Sequence, residues 1–64
     1  MMAELLKKLR LENGKTQYEV AKALGYKGKS GYSTLENGKV ELTIPKAKIL
    51  AKLYNVDAKI FLET

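Results

Sequence analysis

The chain has 64 residues, a formal net charge of +5, and neither cysteine nor histidine. Its length allows one domain, and the missing side chains exclude a disulfide framework, a thiolate metal site and a histidine general base. The excess of lysine and arginine favours a polyanionic partner, above all nucleic acid. With no clustered carboxylates, no phosphate-binding glycine loop and no apolar run long enough to span a bilayer, we expect a cytoplasmic, non-enzymatic protein without metal or cofactor.

Two short helices are predicted in the first part of the sequence. Four apolar residues recur at spacings of three and four and therefore share one helical face: Met2, Leu5, Leu6 and Leu9. Gly14 follows and suits a left-handed C-cap. Thr16, with Glu19 three residues later, has the pattern of a capping box and predicts the start of the second helix. The apolar face of that helix is Val20, Ala21 and Leu24, and Gly25 ends it.

The segment after Gly25 is polar for so small a domain. Residues 26–28 are predicted to form a turn, and a third helix runs from about Lys29 to Glu36, where Asn37 and Gly38 end it. Its two large apolar side chains, Tyr32 and Leu35, face inward. The outward side by helical spacing is Lys29, Ser30, Ser33 and Thr34.

A fourth and a fifth helix complete the pattern. Thr43 is predicted to cap the fourth helix, with Pro45 acceptable in its first turn. The inner stripe of that helix is Ala47, Leu50, Ala51 and Tyr54, and Asp57 caps a short fifth helix with Ile60, Phe61 and Leu62. Phe61 and Leu62 either close the core or form a dimer patch, and the hydroxyls of Tyr32 and Tyr54 are expected to reach water. The expected fold is all-α, a compact bundle of five helices in one domain over residues 1–64.

The second and third helices together have the pattern of a helix-turn-helix, because a short capped helix leads through a tight turn into a helix that is polar outside. A recognition helix needs a slim polar face for the major groove and one apolar stripe to hold it to the domain. Lysine can bond guanine, serine and threonine can serve several bases, and the threonine methyl can contact the thymine methyl. The third helix is therefore a candidate for reading DNA.

Several motifs occur in the order and spacing of one known family: LKKLR (6–10), GKTQYEVAKALG (14–25), YSTLENGK (32–39) and LAKLYNV (50–56). On these motifs the chain resembles the Cro/C1-type (Xre-like) helix-turn-helix family of phage repressors and bacterial transcriptional regulators. The resemblance covers almost the whole chain. It implies the five-helix fold of the lambda-repressor type and sequence-specific binding of a double-stranded DNA operator.

The resemblance also implies roles for individual residues. Base readout falls to the outward residues of the third helix: Lys29, Ser30, Ser33 and Thr34. Contacts to phosphates fall to Gln17, Asn37 and Lys39, and an ion pair inside the domain is expected between Arg10 and Glu36. The stretch from Gly25 to Glu36 is one residue longer than is usual in the family. This extra residue makes Lys27 a further candidate, for a phosphate or even a base.

Other interpretations stay open beside this one. A regulator of this size is expected to act as a homodimer, at least on DNA, and its C-terminal end near residues 60–62 is the most available dimer surface. An antitoxin-like module of the same fold that binds a toxin, or an architectural DNA binder without sequence preference, would share the pattern. The lysines of the later helices are expected to be solvated: Lys46, Lys48, Lys52 and Lys59. Tyr18 is expected to be exposed.

Overall fold

The computed structural model describes residues 2–62, and the side chains of Met2 and Leu62 lie outside this description, as do the predictions that concern them. The described part of the chain forms five α-helices in the predicted order. They are α1 (Met2–Glu12), α2 (Gln17–Ala23), α3 (Lys29–Glu36), α4 (Ile44–Tyr54) and α5 (Lys59–Leu62). No strand occurs within residues 2–62, so the predicted all-α fold is confirmed. None of these helices is long and apolar enough to cross a membrane.

Local hydrogen bonds explain where the helices begin. Thr16 Oγ1 accepts the backbone N–H of Glu19 at 3.1 Å, and Glu19 Oε1 accepts the N–H of Thr16 at 2.9 Å. This is the predicted capping box of α2. At α5, Asp57 Oδ1 accepts the N–H of Lys59 at 2.9 Å, as expected of a cap. Thr43 has the extended backbone of an N-cap, but its side chain makes no capping hydrogen bond, so only the position of that cap is confirmed.

The ends of the first four helices share one geometry. After α2, Gly25 N–H donates to Lys22 O at 3.0 Å and Tyr26 N–H donates to Ala21 O at 2.9 Å. This pair of bonds is a Schellman motif, and it needs a residue of positive φ, which Gly25 supplies at 90°. The residues with positive φ after the other three helices are Gly14, Gly38 and Asn55. Each turn is therefore fixed by backbone bonds rather than left free.

The core confirms the predicted inward faces. Every residue that the pattern placed inward on α2, its C-cap Leu24, α3 and α4 is buried: Val20, Ala21, Leu24, Tyr32, Leu35, Ala47, Leu50, Ala51 and Tyr54. Leu6 is fully buried, whereas Leu5 and Leu9 are half-buried against the same cluster. Phe61 is only 3% exposed, so it closes the core and does not contribute to a dimer patch.

The expectation that the hydroxyls of Tyr32 and Tyr54 reach water is wrong. Both oxygens are buried, and neither meets the geometry of a hydrogen bond with any group in residues 2–62. Burial raises the pKa of both phenols, and the nearby carboxylate of Glu36 raises both further. The two hydroxyls lie close enough to interact with each other, and this contact raises the pKa of Tyr32 and lowers that of Tyr54. The aromatic centre of the domain is thus more deeply buried than the sequence indicated.

Candidate nucleic-acid interface

The outer side of α3 consists of two turns whose side chains differ in exposure and in how far their polar groups are already hydrogen-bonded. In the first turn, Lys29 and Ser30 are exposed. In the second turn, Ser33 and Thr34 are half-buried, and both hydroxyls are already engaged within the helix. Thr34 Oγ1 donates to Gly31 O at 2.7 Å, and Ser33 Oγ accepts from Asn37 Nδ2 at 3.3 Å. The four predicted base-reading residues therefore share one side of the helix but are not equivalent donors.

The residues predicted to touch phosphates lie around this helix. Lys27 precedes it, Asn37 and Lys39 follow it, and all three are exposed. Gln17, the first residue of α2, is half-buried, and its Nε2 donates to Glu36 Oε2. Because a carboxylate can only accept, the amide nitrogen must be the group that faces Glu36. One amide hydrogen and the amide oxygen of Gln17 remain for another partner.

The buried carboxylate of Glu36 joins three helices. Arg10 Nε of α1 donates to Glu36 Oε1 at 2.8 Å, and the two side chains are 12% and 2% exposed. Arg10 Nη1 also donates to Lys15 O at 3.0 Å. The hydrogen bond with Glu36 raises the pKa of Arg10 above its ordinary value. The ion pair that the resemblance implied is thus present, with the amide of Gln17 as a second donor to the same carboxylate.

This ion pair affects the charge that α3 presents to solvent. Glu36 is the only acidic residue among residues 20–40. Since its charge is matched by Arg10 inside the domain, it does little to offset the exposed lysines on either side of α3. Three of these surround the helix: Lys27, Lys29 and Lys39. The surface around α3 is therefore positively charged.

An open groove of about 650 Å³ adjoins the start of α3. It lies between the end of α1 and the beginnings of α2 and α3, and it is lined by Arg10, Leu11, Lys15, Thr16, Gln17, Tyr18 and Lys29. Tyr18 is 53% exposed there, as predicted. The Nζ atom of Lys22, one turn further along α2, is 5.9 Å from the centroid of the Tyr18 ring. The groove thus connects the start of α3 with the start of α2, and apolar surface from Leu11 and Tyr18 forms part of it.

Sequence reasoning gave no role to a contact on the other side of α3. Tyr26, in the turn between α2 and α3, is half-buried, and its hydroxyl accepts a hydrogen bond from Lys46 Nζ at 2.7 Å. The expectation that Lys46 is merely solvated is therefore wrong, because it is half-buried and bonded to this phenol. A signal was present in the sequence. Gly31, a glycine inside α3, marks a place where another group packs closely, although it does not say which one.

A short capped helix, a fixed turn and a second helix with a positively charged polar side together define a helix-turn-helix domain. Comparison with known proteins agrees. A family model described as Helix-turn-helix matches residues 6–61, and the chain belongs to this family, of the Cro/C1 type. The chain is 41% identical over 63 residues to the uncharacterized HTH-type transcriptional regulator YqaF of Bacillus subtilis (strain 168). That match covers 98% of this chain and 82% of the relative. No solved structure matches the chain.

Proposed function

We propose that this protein is a sequence-specific double-stranded DNA-binding transcriptional regulator, a repressor of phage or mobile-element type, with α3 in the major groove. The family and the relative named as a transcriptional regulator support DNA-binding transcription regulation. The observation that carries the finer proposal is the surface of α3, where exposed lysines surround a slim polar side and the one acid of the helix, Glu36, is paired internally with Arg10.

In the proposed complex, base readout is divided between the two turns of α3. Lys29 and Ser30 are exposed and approach base edges directly, and the lysine ammonium suits the acceptors of guanine. Thr34 contributes differently, because the hydrogen of its hydroxyl is held by Gly31 O. It offers its methyl group to a thymine methyl and its oxygen as an acceptor. Ser33 lies next to Thr34 at the edge of this contact with the bases, and its hydroxyl oxygen accepts a hydrogen bond from Asn37 Nδ2.

Phosphate contacts fix the register of α3 in the groove. Lys27 and Lys39 lie at opposite ends of the helix, so they can neutralise phosphates on the two sides of the major groove. Asn37 adds an amide donor near the C-terminal end. Gln17 uses the amide hydrogen that Glu36 leaves free, and the carboxylate holds the amide in place before DNA arrives. These contacts contribute affinity for any sequence.

A single module of this size reads few base pairs. We therefore propose a homodimer on a two-fold operator, with half-sites about one helical turn apart. Because Phe61 belongs to the core, the dimer surface must use other residues near the C-terminal end, such as the half-buried Ile60. Sedimentation of the complex with a selected duplex is expected to show two chains per duplex.

The test is to select preferred duplexes from a random pool and then measure binding of variants at two salt concentrations. Lys29→Ala should cost about 1–3 kcal/mol and relax the preference at one base pair. Lys39→Ala should weaken all duplexes alike and reduce the salt dependence. Lys48→Ala, at an exposed position of α4, is the control of equal charge and should change neither. Equal effects of Lys29→Ala and Lys48→Ala, or a pool without any preferred sequence, would contradict the proposal.

A further inference from the structure

The backbone of Tyr26 is fixed by α2. Its N–H closes the Schellman motif on Ala21 O at 2.9 Å, directly after Gly25. The direction in which the side chain leaves the backbone is therefore set by the end of α2, although the residue stands in a turn. Tyr26 belongs in this sense to the first helix of the helix-turn-helix rather than to its linker.

The ring of Tyr26 lies directly against the backbone of α3. A Cβ atom added at Gly31 would lie 2.4 Å from Tyr26 Cδ1 and 2.8 Å from Cγ, far inside van der Waals contact. Gly31 is needed for this space and not for an unusual backbone, since it is an interior residue of α3 without positive φ. Glycine is a poor helix former, so its presence in the middle of a short helix indicates that the close approach matters.

The far end of the same ring is tied to α4. Lys46, in the first turn of α4, donates from Nζ to the Tyr26 hydroxyl at 2.7 Å, and the same nitrogen is 4.5 Å from the ring centroid. A donor bonded to a phenol oxygen is necessarily near the ring, so these two distances describe one interaction. Tyr26 thus connects the end of α2, the middle of α3 and the start of α4.

Apart from Tyr32, whose side chain is fully buried in the core, the first turn of α3 has little to hold it. Its N-cap, Gly28, makes no side-chain hydrogen bond, and no acidic residue stands in its first turn. Lys29 and Ser30 are exposed and do not anchor it. Because helix ends fray when their first N–H groups lack a cap, the ring of Tyr26 at Gly31, with the buried Tyr32 beside it, is the fixed contact nearest to these two exposed residues.

We propose that Tyr26 is a positioning residue for DNA recognition: held by Gly31 and Lys46, its ring sets where the first turn of α3 stands against the bases. This inference rests on the proposed function. Bonds to base edges depend on placement to a fraction of an ångström, whereas contacts to phosphates tolerate larger shifts. Loss of the ring therefore lowers the preference for the right sequence more than it lowers affinity for DNA in general.

The experiment compares the dissociation constants for a duplex selected from a random pool and for a shuffled version of it. Their ratio measures sequence preference. For Tyr26→Ala we expect this ratio to fall about tenfold, the value of one good base contact, with affinity for the shuffled duplex nearly unchanged. Tyr26→Phe keeps the ring on Gly31 and should retain most of the preference. Lys46→Ala should fall between these two variants, and Lys48→Ala should match the wild type.

Folding is checked for each variant by circular dichroism. If Tyr26→Ala does not fold, Tyr26→Leu replaces it, because leucine keeps apolar volume but not the flat ring. An unchanged ratio in Tyr26→Ala or Tyr26→Leu would overturn the inference, as would a loss in Tyr26→Phe as large as in Tyr26→Ala. If the wild type itself prefers no duplex, the proposed function fails and the inference fails with it. If the wild type prefers the selected duplex and the Tyr26 variants prefer it equally strongly, the inference about Tyr26 is refuted but the proposed function is not.

Discussion

The two ends of α3 are attached to the domain by contacts of opposite chemical character. At the C-terminal end, the buried carboxylate of Glu36 accepts hydrogen bonds from Arg10 of α1 and Gln17 of α2. At the N-terminal end, the half-buried ring of Tyr26 lies on Gly31 and is bonded to Lys46 of α4. One end is held by a buried charge with its partners, the other by an aromatic contact that solvent partly reaches.

The difference indicates that the two ends of α3 have different roles. A buried ion pair adds little net stability compared with apolar groups, but it tolerates no loss of either partner. It fixes α3 against α1 and α2 and also removes a negative charge from the proposed DNA side. The aromatic contact carries no such penalty, and in our proposal it positions the half of the helix that bears Lys29 and Ser30. We infer that the C-terminal attachment determines whether the domain folds, and the N-terminal attachment determines how α3 meets DNA.

The largest effect that tests this division is expected from Glu36→Ala. The change leaves the guanidinium of Arg10, only 12% exposed, without its partner. Breaking a buried pair in this way costs about 3–5 kcal/mol, which is most of the stability that a domain of this length is expected to have. Urea unfolding followed by circular dichroism measures the loss. Glu41→Ala, at an exposed acid in the loop after α3, is the matched control and should stay within about 0.5 kcal/mol of the wild type.

A double variant then separates the cost of a stranded charge from the value of the pair. Replacing both partners, as in Arg10→Met with Glu36→Leu, should recover much of the stability that Glu36→Ala loses. If Glu36→Ala is as stable as Glu41→Ala, the buried carboxylate does not hold α3, and the comparison of its two ends has no basis.

A smaller effect on stability is expected at the N-terminal attachment, where Gly31→Ala should destabilise the wild type but stabilise the Tyr26→Ala variant. In the wild type, Gly31→Ala must push the Tyr26 ring aside and should lower the free energy of unfolding by about 1–3 kcal/mol. In the background of Tyr26→Ala the space is free, and the better helix propensity of alanine should raise stability by about 1 kcal/mol. The four proteins form a double-mutant cycle measured by urea unfolding. Equal effects of Gly31→Ala in both backgrounds would show that the ring and the glycine are not coupled.

The two attachments also differ in how far they could be predicted from sequence. The bounds of α3, its inward residues Tyr32 and Leu35, and the capping box of α2 follow from local rules of spacing and capping. These rules depend on residues three or four positions apart, which a helix brings together by itself. The pair of Arg10 with Glu36 spans 26 positions, and only the resemblance to a family indicated it.

There is a physical reason why the N-terminal attachment could not be predicted from the sequence. The contact of Tyr26 with Lys46 joins residues 20 positions apart across two turns, and no local pattern encodes it. The same holds for the buried hydroxyls of Tyr32 and Tyr54, since burial of a phenol oxygen depends on how α3 and α4 pack together. Assignment of Gln17 to phosphate, and of the α3 side chains to bases, stays a prediction until it is tested with DNA.

The smallest expected effect concerns the middle of α3, between its two attachments. The hydroxyl of Tyr32 is fully buried and lies near that of Tyr54, but it meets the geometry of a good hydrogen bond with no group within residues 2–62. A buried hydroxyl without a partner is unfavourable, so Tyr32→Phe should raise the free energy of unfolding at neutral pH by about 1 kcal/mol. Tyr18→Phe, at the exposed tyrosine of α2, is the control and should change stability little.

The pH dependence gives a second measurement on the same variant. Burial raises the pKa of Tyr32 above the ordinary value of 10.0, whereas the unfolded chain keeps that value. The folded state therefore loses stability as the pH rises beyond 10.0, because only the unfolded chain releases the proton. Tyr32→Phe should flatten this decline, and Tyr54, whose pKa burial also raises, is responsible for part of the decline that remains. A variant that is less stable at neutral pH would mean that the hydroxyl has a partner, and α3 would then be held at three places along its length.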